Sequence, residues 1–247
     1  MQRERIGELD CVVVGANSDE APPAAVAVFC HGFGAPGTDL VPLANVLARS
    51  LGASANQVQF VFPAAPLSLD RQGIPGGRAW WPIDMMQLQM AMATGDFRDL
   101  KNDSPELLPE MSGKISQVVG EVCARWNLPA SKLILGGFSQ GSMLTTDVAL
   151  RMPSRPGGLV IWSGTLLNES SWSPAAAEGT PLTILQSHAV DDPILPFSGA
   201  EELRDLLLRC GHSVEFLRFR GGHTIPDEAI AATSTLMRRV IEDPGPS

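Results

Sequence analysis

The residues best suited to chemistry surround Ser139, in the segment Gly137-Phe-Ser-Gln-Gly141. The segment follows the apolar run 133–136 and precedes a helical pattern over 143–152, so it occupies a predicted strand-to-helix turn. On such a turn the hydroxyl stands clear of the sheet, and the flanking glycines avoid a Cβ clash with neighbouring chain. The N-terminus of the following helix favours developing negative charge. The pattern therefore predicts that Ser139 is a nucleophile.

A nucleophilic serine needs a base, and the chain offers four histidines. His223 follows the last predicted strand, where a loop can bring an imidazole back over the carboxyl edge of a parallel sheet. His212 precedes that strand and should lie at the opposite edge, whereas His31 and His188 are expected to be structural. We therefore predict His223 as the base. Activity should then fall at acid pH, because only a neutral imidazole can accept the serine proton.

The carboxylate that would orient this imidazole is expected just after the predicted strand 182–186, where Asp191 and Asp192 are adjacent. Neighbouring side chains point in different directions, so the two aspartates are alternatives. Asp192, made rigid by Pro193, is the better candidate, and Asp191 is then a surface or loop-capping residue. The chain order serine, aspartate, histidine is that of α/β-hydrolases.

The glycine-rich loop 32–37 fits two known patterns. It matches G-x-G-x-x-G, but a dinucleotide site also needs an acidic residue about 20 positions further on. No Asp or Glu occurs between Asp39 and Asp70. As half of an oxyanion hole, the loop would instead supply the backbone N–H of Phe33, and the N–H of Gln140 would be the second donor. The oxyanion interpretation is therefore preferred.

Short apolar runs and helical patterns alternate along the whole chain. The apolar runs are continuous, which is typical of strands buried on both faces of a parallel sheet. The predicted strands are 9–14, 25–30, 58–62, 132–136, 159–162, 182–186 and 214–219. The predicted helices are 40–51, 105–126, 140–152, 200–209 and 226–241. The pattern predicts an α/β fold over a single domain, 1–247, with a mostly parallel central sheet and helices on both faces.

Residues 63–102 depart from this alternation and form an insertion rich in Gly, Pro, Trp and Met. A loop of that length inside a compact domain is usually functional or disordered, and its large apolar side chains argue against disorder. We interpret the insertion as a substrate-binding loop. Trp80 and Trp81 are the predicted substrate contacts, and packing in the core is the equal alternative for both.

Composition limits the classes of partner. The net charge of −9 argues against nucleic acid as a partner. No apolar stretch reaches the roughly 18–20 residues that span a bilayer, so stable membrane insertion is not expected. The N-terminus lacks the apolar core of a signal peptide, and the predicted location is the cytoplasm. The cysteines form no C-x-x-C pair, so no metal or cofactor is predicted. The sequence is compatible with a homodimer.

The chain resembles the phospholipase/carboxylesterase family of α/β-hydrolases, which includes the acyl-protein thioesterases. The segments that carry the resemblance are His31-Gly-Phe-Gly34, Gly137-Phe-Ser-Gln-Gly141, His188-x-x-x-Asp192-Pro-x-x-Pro196 and Gly222-His223. The resemblance implies cofactor-independent ester hydrolysis and selects Asp192, the aspartate before proline, over Asp191. Trp80-Trp81-Pro-Ile-Asp84 is similar to the family's substrate loop, whereas 85–99 departs from it.

The expected function is that of a serine carboxylesterase, which hydrolyses short- to medium-chain esters through an acyl-enzyme. The substrate would be a small-molecule ester or thioester. An acyl-protein thioesterase or lysophospholipase is the alternative within the same chemistry. A non-catalytic ligand-binding relative is a remote alternative, because such proteins usually lack a member of the triad and this sequence has all of them.

Overall fold

The computed structural model of the chain describes residues 1–15, 22–94 and 100–243. Its centre is an eight-stranded sheet, and a separate pair of two-residue strands lies outside it. The strands are β1 (Gln2–Ile6), β2 (Leu9–Gly15), β3 (Ala25–Cys30), β4 (Val58–Pro63), β5 (Leu67–Ser68), β6 (Arg78–Ala79), β7 (Leu133–Phe138), β8 (Gly158–Trp162), β9 (Thr183–Ala189) and β10 (Ser213–Phe219). The sheet order is β1-β2-β4-β3-β7-β8-β9-β10, and β5 pairs with β6.

Most of the sheet is parallel, as predicted. β2 pairs antiparallel with β1 and β4, and every pairing from β4 through to β10 is parallel. All residues of β3, β4 and β8 are buried, which explains their continuous apolar sequences. β1 was not predicted, because four of its five residues are polar and only Ile6 is buried. Charged side chains on such an edge strand discourage pairing with another chain.

Helices cover both faces of the sheet, which confirms the predicted α/β class. They are α1 (Val41–Leu51), α2 (Met85–Thr94), α3 (Leu108–Arg125), α4 (Gln140–Arg151), α5 (Glu169–Ala177), α6 (Phe197–Arg209) and α7 (Asp227–Glu242). Apolar side chains of α1 and α7 belong to one core cluster, and those of α3, α4, α5 and α6 belong to another. α2 and α5 were not predicted, because their sequences lack a clear apolar stripe. None of the described helices combines the length and apolar character needed to cross a bilayer.

The parallel strands end together, and this alignment brings distant loops to one edge. Cys30 at the end of β3 is in register with Gly137 of β7. Phe138 pairs with Trp162 of β8, and Ala189 of β9 pairs with Phe219 of β10. Hence the loops after β3, β7, β9 and β10 all begin at the carboxyl edge of the sheet, where open α/β folds bind ligands.

The insertion 63–102 is more ordered than the sequence predicts. It contains the β5–β6 pair and α2, and residues 95–99 lie outside the described residues. A hydrogen bond from Gly34 N–H to Arg78 O (2.9 Å) and another from Arg78 N–H to Ala35 O (3.1 Å) attach β6 to the loop after β3. The insertion is therefore fastened to the same carboxyl edge.

Candidate active site

Ser139 lies between β7 and α4 with a strained backbone, at φ 52° and ψ −120°. L-residues rarely adopt such a conformation, and it persists only where surrounding structure enforces it. Here the enforcement is close packing: a Cβ on Gly137 would lie 2.5 Å from Cys30 O, and one on Gly141 would also overlap that carbonyl. Neither glycine tolerates a side chain, as the sequence pattern predicts for this turn.

His223 and Asp192 are in direct contact, with 2.7 Å between Nδ1 and Oδ2. The other carboxylate oxygen, Oδ1, accepts hydrogen bonds from the N–H groups of Ile194 (2.8 Å) and Leu195 (3.0 Å). Burial opposes ionisation of Asp192, but the hydrogen bond and charge of His223 and the two amides outweigh it and hold the pKa of the carboxyl below its ordinary value. The carboxylate is therefore fixed and ionised beside the imidazole.

Asp191 points elsewhere and attaches the loop that carries His223. Its Oδ1 accepts hydrogen bonds from the N–H groups of Gly221 (3.0 Å) and Gly222 (3.3 Å). These amides lower the pKa of the Asp191 carboxyl. The two adjacent aspartates thus serve one histidine in different ways: Asp192 contacts its ring and Asp191 holds its backbone.

Ser139 and His223 both line a cavity of about 930 Å³ at the carboxyl edge of the sheet. The ring of His223 also packs against Phe138, the residue before the serine, with 4.8 Å between ring centroids. This contact keeps the imidazole next to the strained turn. The structure therefore brings the predicted hydroxyl, imidazole and carboxylate into one region from three separate loops.

Both predicted oxyanion donors line the same cavity. Gln140 is the first residue of α4, so its N–H has no acceptor within the helix. In the loop after β3, Gly34 N–H is already bonded to Arg78 O. Phe33 N–H has no protein acceptor among the described residues, so it is free to bind an oxygen atom in the cavity.

The side chain of Gln140 connects the oxyanion region to the insertion. Its Oε1 accepts a hydrogen bond from Trp80 N–H (2.9 Å), and its Nε2 donates one to Trp81 O (2.8 Å). Sequence reasoning missed this role. The buried amide ties the residue after Ser139 to the wall of the cavity.

The two tryptophans of the insertion differ in position. Trp81 lines the cavity, in agreement with a substrate contact. Trp80 does not: it is fully buried behind the wall, and its indole N–H donates to His31 O at 2.9 Å. For Trp80 the structure therefore favours packing in the core, the alternative that the sequence left open for this residue.

Much of the remaining wall is apolar and comes from several elements. The insertion supplies a large share of it, including Met85 at the start of α2. Other apolar lining residues are Ile74, Pro82, Ile83, Leu100, Met143, Leu167, Ile194 and Leu195. Such an apolar surface suits an acyl chain.

The other histidines are buried and hydrogen-bonded. His31 Nε2 accepts from Ala65 N–H (3.1 Å), and His212 Nδ1 accepts from Leu182 N–H (3.1 Å), just before β9 and thus at the amino edge as predicted. His188 is fully buried near Asp192, with 3.4 Å between Nε2 and Oδ2. Burial is the main cause of the lowered pKa of all three.

Other nucleophiles and metal sites are not evident in the described residues. Burial raises the pKa of the Cys11 thiol to about 12 and that of Cys30 well above its usual range, so both stay protonated. No group of three or more His, Cys, Asp or Glu side chains in residues 1–15, 22–94 and 100–243 could hold a metal ion.

Comparison with known proteins gives an independent assignment. The family model described as Phospholipase/Carboxylesterase matches residues 10–241. Acyl-protein thioesterase 1 of Eremothecium gossypii is 30% identical over 183 residues, which are 73% of this chain and 72% of that protein. A probable carboxylesterase of Oryza sativa subsp. japonica is 28% identical over 212 residues, which are 82% of this chain and 83% of that protein.

Solved structures agree on the fold. Esterase PE8 superposes with a TM-score of 0.78 at 23% identity, covering 94% of this chain and 99% of that one. A carboxylesterase from Mesorhizobium loti gives a TM-score of 0.69 at 17% identity, covering 96% and 95% respectively. The predicted fold and family are confirmed: the chain belongs to the phospholipase/carboxylesterase family of α/β-hydrolases, a family of enzymes that cleave ester bonds.

Proposed function

We propose that the protein is a single-domain serine carboxylesterase with a triad of Ser139, His223 and Asp192. The observation that carries the proposal is the 2.7 Å contact between His223 Nδ1 and Asp192 Oδ2, made at the edge of the cavity that Ser139 also lines. A carboxylate on Nδ1 puts the free lone pair on Nε2, the nitrogen that must accept the serine proton. Acyl transfer by this route needs no cofactor.

The proposed reaction runs through an acyl-enzyme. His223 removes the proton from Ser139 Oγ as Oγ attacks the ester carbonyl carbon. The carbonyl oxygen becomes an oxyanion and accepts hydrogen bonds from the N–H groups of Phe33 and Gln140. His223 then gives the proton to the departing alcohol, whose bond to the acyl carbon breaks. Water repeats the sequence, with the acid as product and a free Ser139 hydroxyl at the end.

The substrate is proposed to be an ester with a short to medium acyl chain. A longer acyl chain, bound as an ester or thioester, is the second candidate. Two observations favour this second candidate: the cavity of about 930 Å³ lies near the top of the roughly 300–1,000 Å³ range of ligand pockets, and the relatives include a protein named acyl-protein thioesterase 1. A cytoplasmic location and a homodimer stay predictions.

Two measurements test the proposal. Wild-type protein should react covalently with a fluorophosphonate and hydrolyse p-nitrophenyl butyrate, and Ser139→Ala should do neither while remaining folded by circular dichroism. If folded wild-type protein neither reacts with the fluorophosphonate nor hydrolyses the ester, the result supports the remote alternative, a non-catalytic ligand-binding relative. A series of p-nitrophenyl acetate, butyrate, octanoate and palmitate then separates the two substrate candidates, since the preferred acyl length differs between them.

A further inference from the structure

We propose that His188 is a positioning residue for Asp192: its Nε2, hydrogen-bonded to Leu195 O and 3.4 Å from Asp192 Oδ2, fixes the carboxylate that orients His223. The inference rests on the triad of the proposed function and adds a second histidine to it. Sequence reasoning treated His188 only as a structural residue, although its spacing from Asp192, four positions along the chain, was visible.

The geometry determines which nitrogen of His188 carries the proton. Nε2 lies 2.9 Å from Leu195 O and 3.4 Å from Asp192 Oδ2, and the ring is fully buried. Both neighbours are acceptors, so a lone pair on Nε2 would face two oxygen atoms and be repelled. The proton therefore resides on Nε2, where it is donated to Leu195 O, and the carboxylate oxygen lies beside it in electrostatic contact at 3.4 Å.

His188 closes a ring of contacts around the carboxylate. Leu195 donates its N–H to Asp192 Oδ1 at 3.0 Å, and its carbonyl accepts from His188. Ile194 N–H also donates to Oδ1 at 2.8 Å, and His223 Nδ1 lies 2.7 Å from Oδ2. The turn that follows Asp192 is thus held through its N–H groups, which bind Asp192, and through the Leu195 carbonyl, which binds His188. A carboxylate so held cannot rotate away from His223.

His188 performs this role as a neutral ring. The titratable groups that face it are Asp192 and His223, and the ring of Phe197 from α6 lies 6.2 Å away between centroids. Burial lowers the pKa of His188 despite the opposing effects of the Leu195 carbonyl and the Asp192 carboxylate. A neutral N–H restrains the carboxylate without adding the full positive charge that would compete with protonated His223.

Removal of this N–H should have two consequences for catalysis. Asp192 Oδ2 loses the nearby N–H and Leu195 O loses its hydrogen-bond partner, so the carboxylate becomes freer and the turnover rate falls while substrate binding is little changed. The carboxylate also keeps more of its negative charge toward His223, which stabilises the protonated imidazole. The acid limb of the kcat/KM profile should therefore move to higher pH.

The test compares His188→Met with His188→Gln, whose amide nitrogen reaches approximately the Nε2 position. In His188→Met we expect kcat on p-nitrophenyl butyrate to fall about tenfold to a hundredfold, as for loss of a buried hydrogen bond whose acceptor is left unpaired. KM should stay within a few-fold, and the midpoint of the acid limb should rise. His188→Gln should recover most of kcat and of the midpoint. His212→Met, which removes a buried histidine from the opposite edge, is the matched control and should lower Tm without moving the midpoint.

Each remaining outcome decides the question. A folded His188→Met with wild-type kcat and an unmoved or lowered midpoint overturns the inference. If that variant does not fold, His188→Asn replaces it, since its shorter amide cannot reach the Nε2 position. Equal pH profiles for His188→Asn and His188→Gln would then overturn the inference. Asp192→Asn is measured in parallel. An active Asp192→Asn shows that the triad itself is wrong, whereas an inactive one beside a normal His188→Met leaves the triad intact and removes only the role of His188.

Discussion

Two regions form the cavity, and they differ in how firmly the sequence determines them. The rim consists of short loops after β3, β7, β9 and β10, each held by the register of a buried parallel sheet. The wall comes largely from the insertion 63–102, which is attached through β6, the side chain of Gln140 and contacts with His31. The proposed chemistry depends on the rim, because its groups must meet within hydrogen-bonding distance. The wall affects which acyl group fits, and its residues are less constrained.

Breaking the rim should have the largest effect. His223→Ala removes the proposed base, and we expect kcat/KM on p-nitrophenyl butyrate to fall by about 10⁴-fold or more, since members of a triad act as a unit. His212→Ala, at the amino edge of the same sheet, should stay within a few-fold of wild type. The opposite pattern would show that His212 is the base and that the site does not lie at the carboxyl edge of the sheet.

Removing the Gln140 side-chain contacts that connect the rim to the wall should have an intermediate effect. Gln140→Leu keeps the backbone N–H but leaves Trp80 N–H and Trp81 O unpaired, at a cost of about 1–3 kcal/mol for each buried group. We expect a lower Tm and roughly tenfold lower kcat/KM, because the cavity wall shifts relative to Ser139. Gln186 lies on β9, away from the cavity, and its side chain donates a comparable buried hydrogen bond to Ala200 O of α6. Gln186→Leu removes that bond. It should lower Tm alone, and equal losses of kcat/KM in both variants would refute the coupling.

Changing the wall alone should alter selectivity rather than chemistry. Leu100→Trp fills part of the cavity, so hydrolysis of p-nitrophenyl octanoate and palmitate should fall several-fold relative to acetate. Met90→Trp, on the exposed side of α2, serves as the control and should leave the acyl-length profile unchanged. A profile that responds to Met90 and not to Leu100 would place the acyl chain outside this cavity.

The smallest expected effect is a dependence of the free energy of unfolding on pH, which we assign to buried histidines outside the insertion. His31, His188 and His212 lie outside the insertion, and burial lowers the pKa of each in the folded protein. Below about pH 6.5 the unfolded chain therefore binds more protons than the folded protein. The contribution of these histidines to the free energy of unfolding is complete above that pH and decreases as the pH falls. Urea titrations between about pH 7.5 and 5 measure the slope, which His212→Gln should reduce. A slope unaffected by that variant contradicts the assignment of this dependence to buried histidines.

The same contrast explains what the sequence could predict. The rim residues were identifiable because a serine turn, a histidine loop and an aspartate loop each follow a strand whose apolar run is unmistakable. The choice between Asp191 and Asp192 needed the family resemblance. The two roles became visible only in the hydrogen bonds of Asp191 to Gly221 and of Asp192 to His223.

The wall was harder to predict for a physical reason. Its segments are short or lack an apolar stripe, so α2 and the β5–β6 pair give little periodic signal. The burial of Trp80 and the exposure of Trp81 to the cavity depend on the long-range bonds to Gln140 and His31, which no local pattern encodes. The proposed role of His188 was not predicted for the same reason, since it depends on the folded turn 192–195.

A crystal structure of the fluorophosphonate adduct would locate the reacting groups. We expect phosphorus bonded to Ser139 Oγ, its oxygen about 2.7–3.1 Å from the N–H groups of Phe33 and Gln140, and His223 hydrogen-bonded nearby. An adduct on another residue, or a phosphoryl oxygen bound by other donors with the His223 ring turned away, would contradict this expectation.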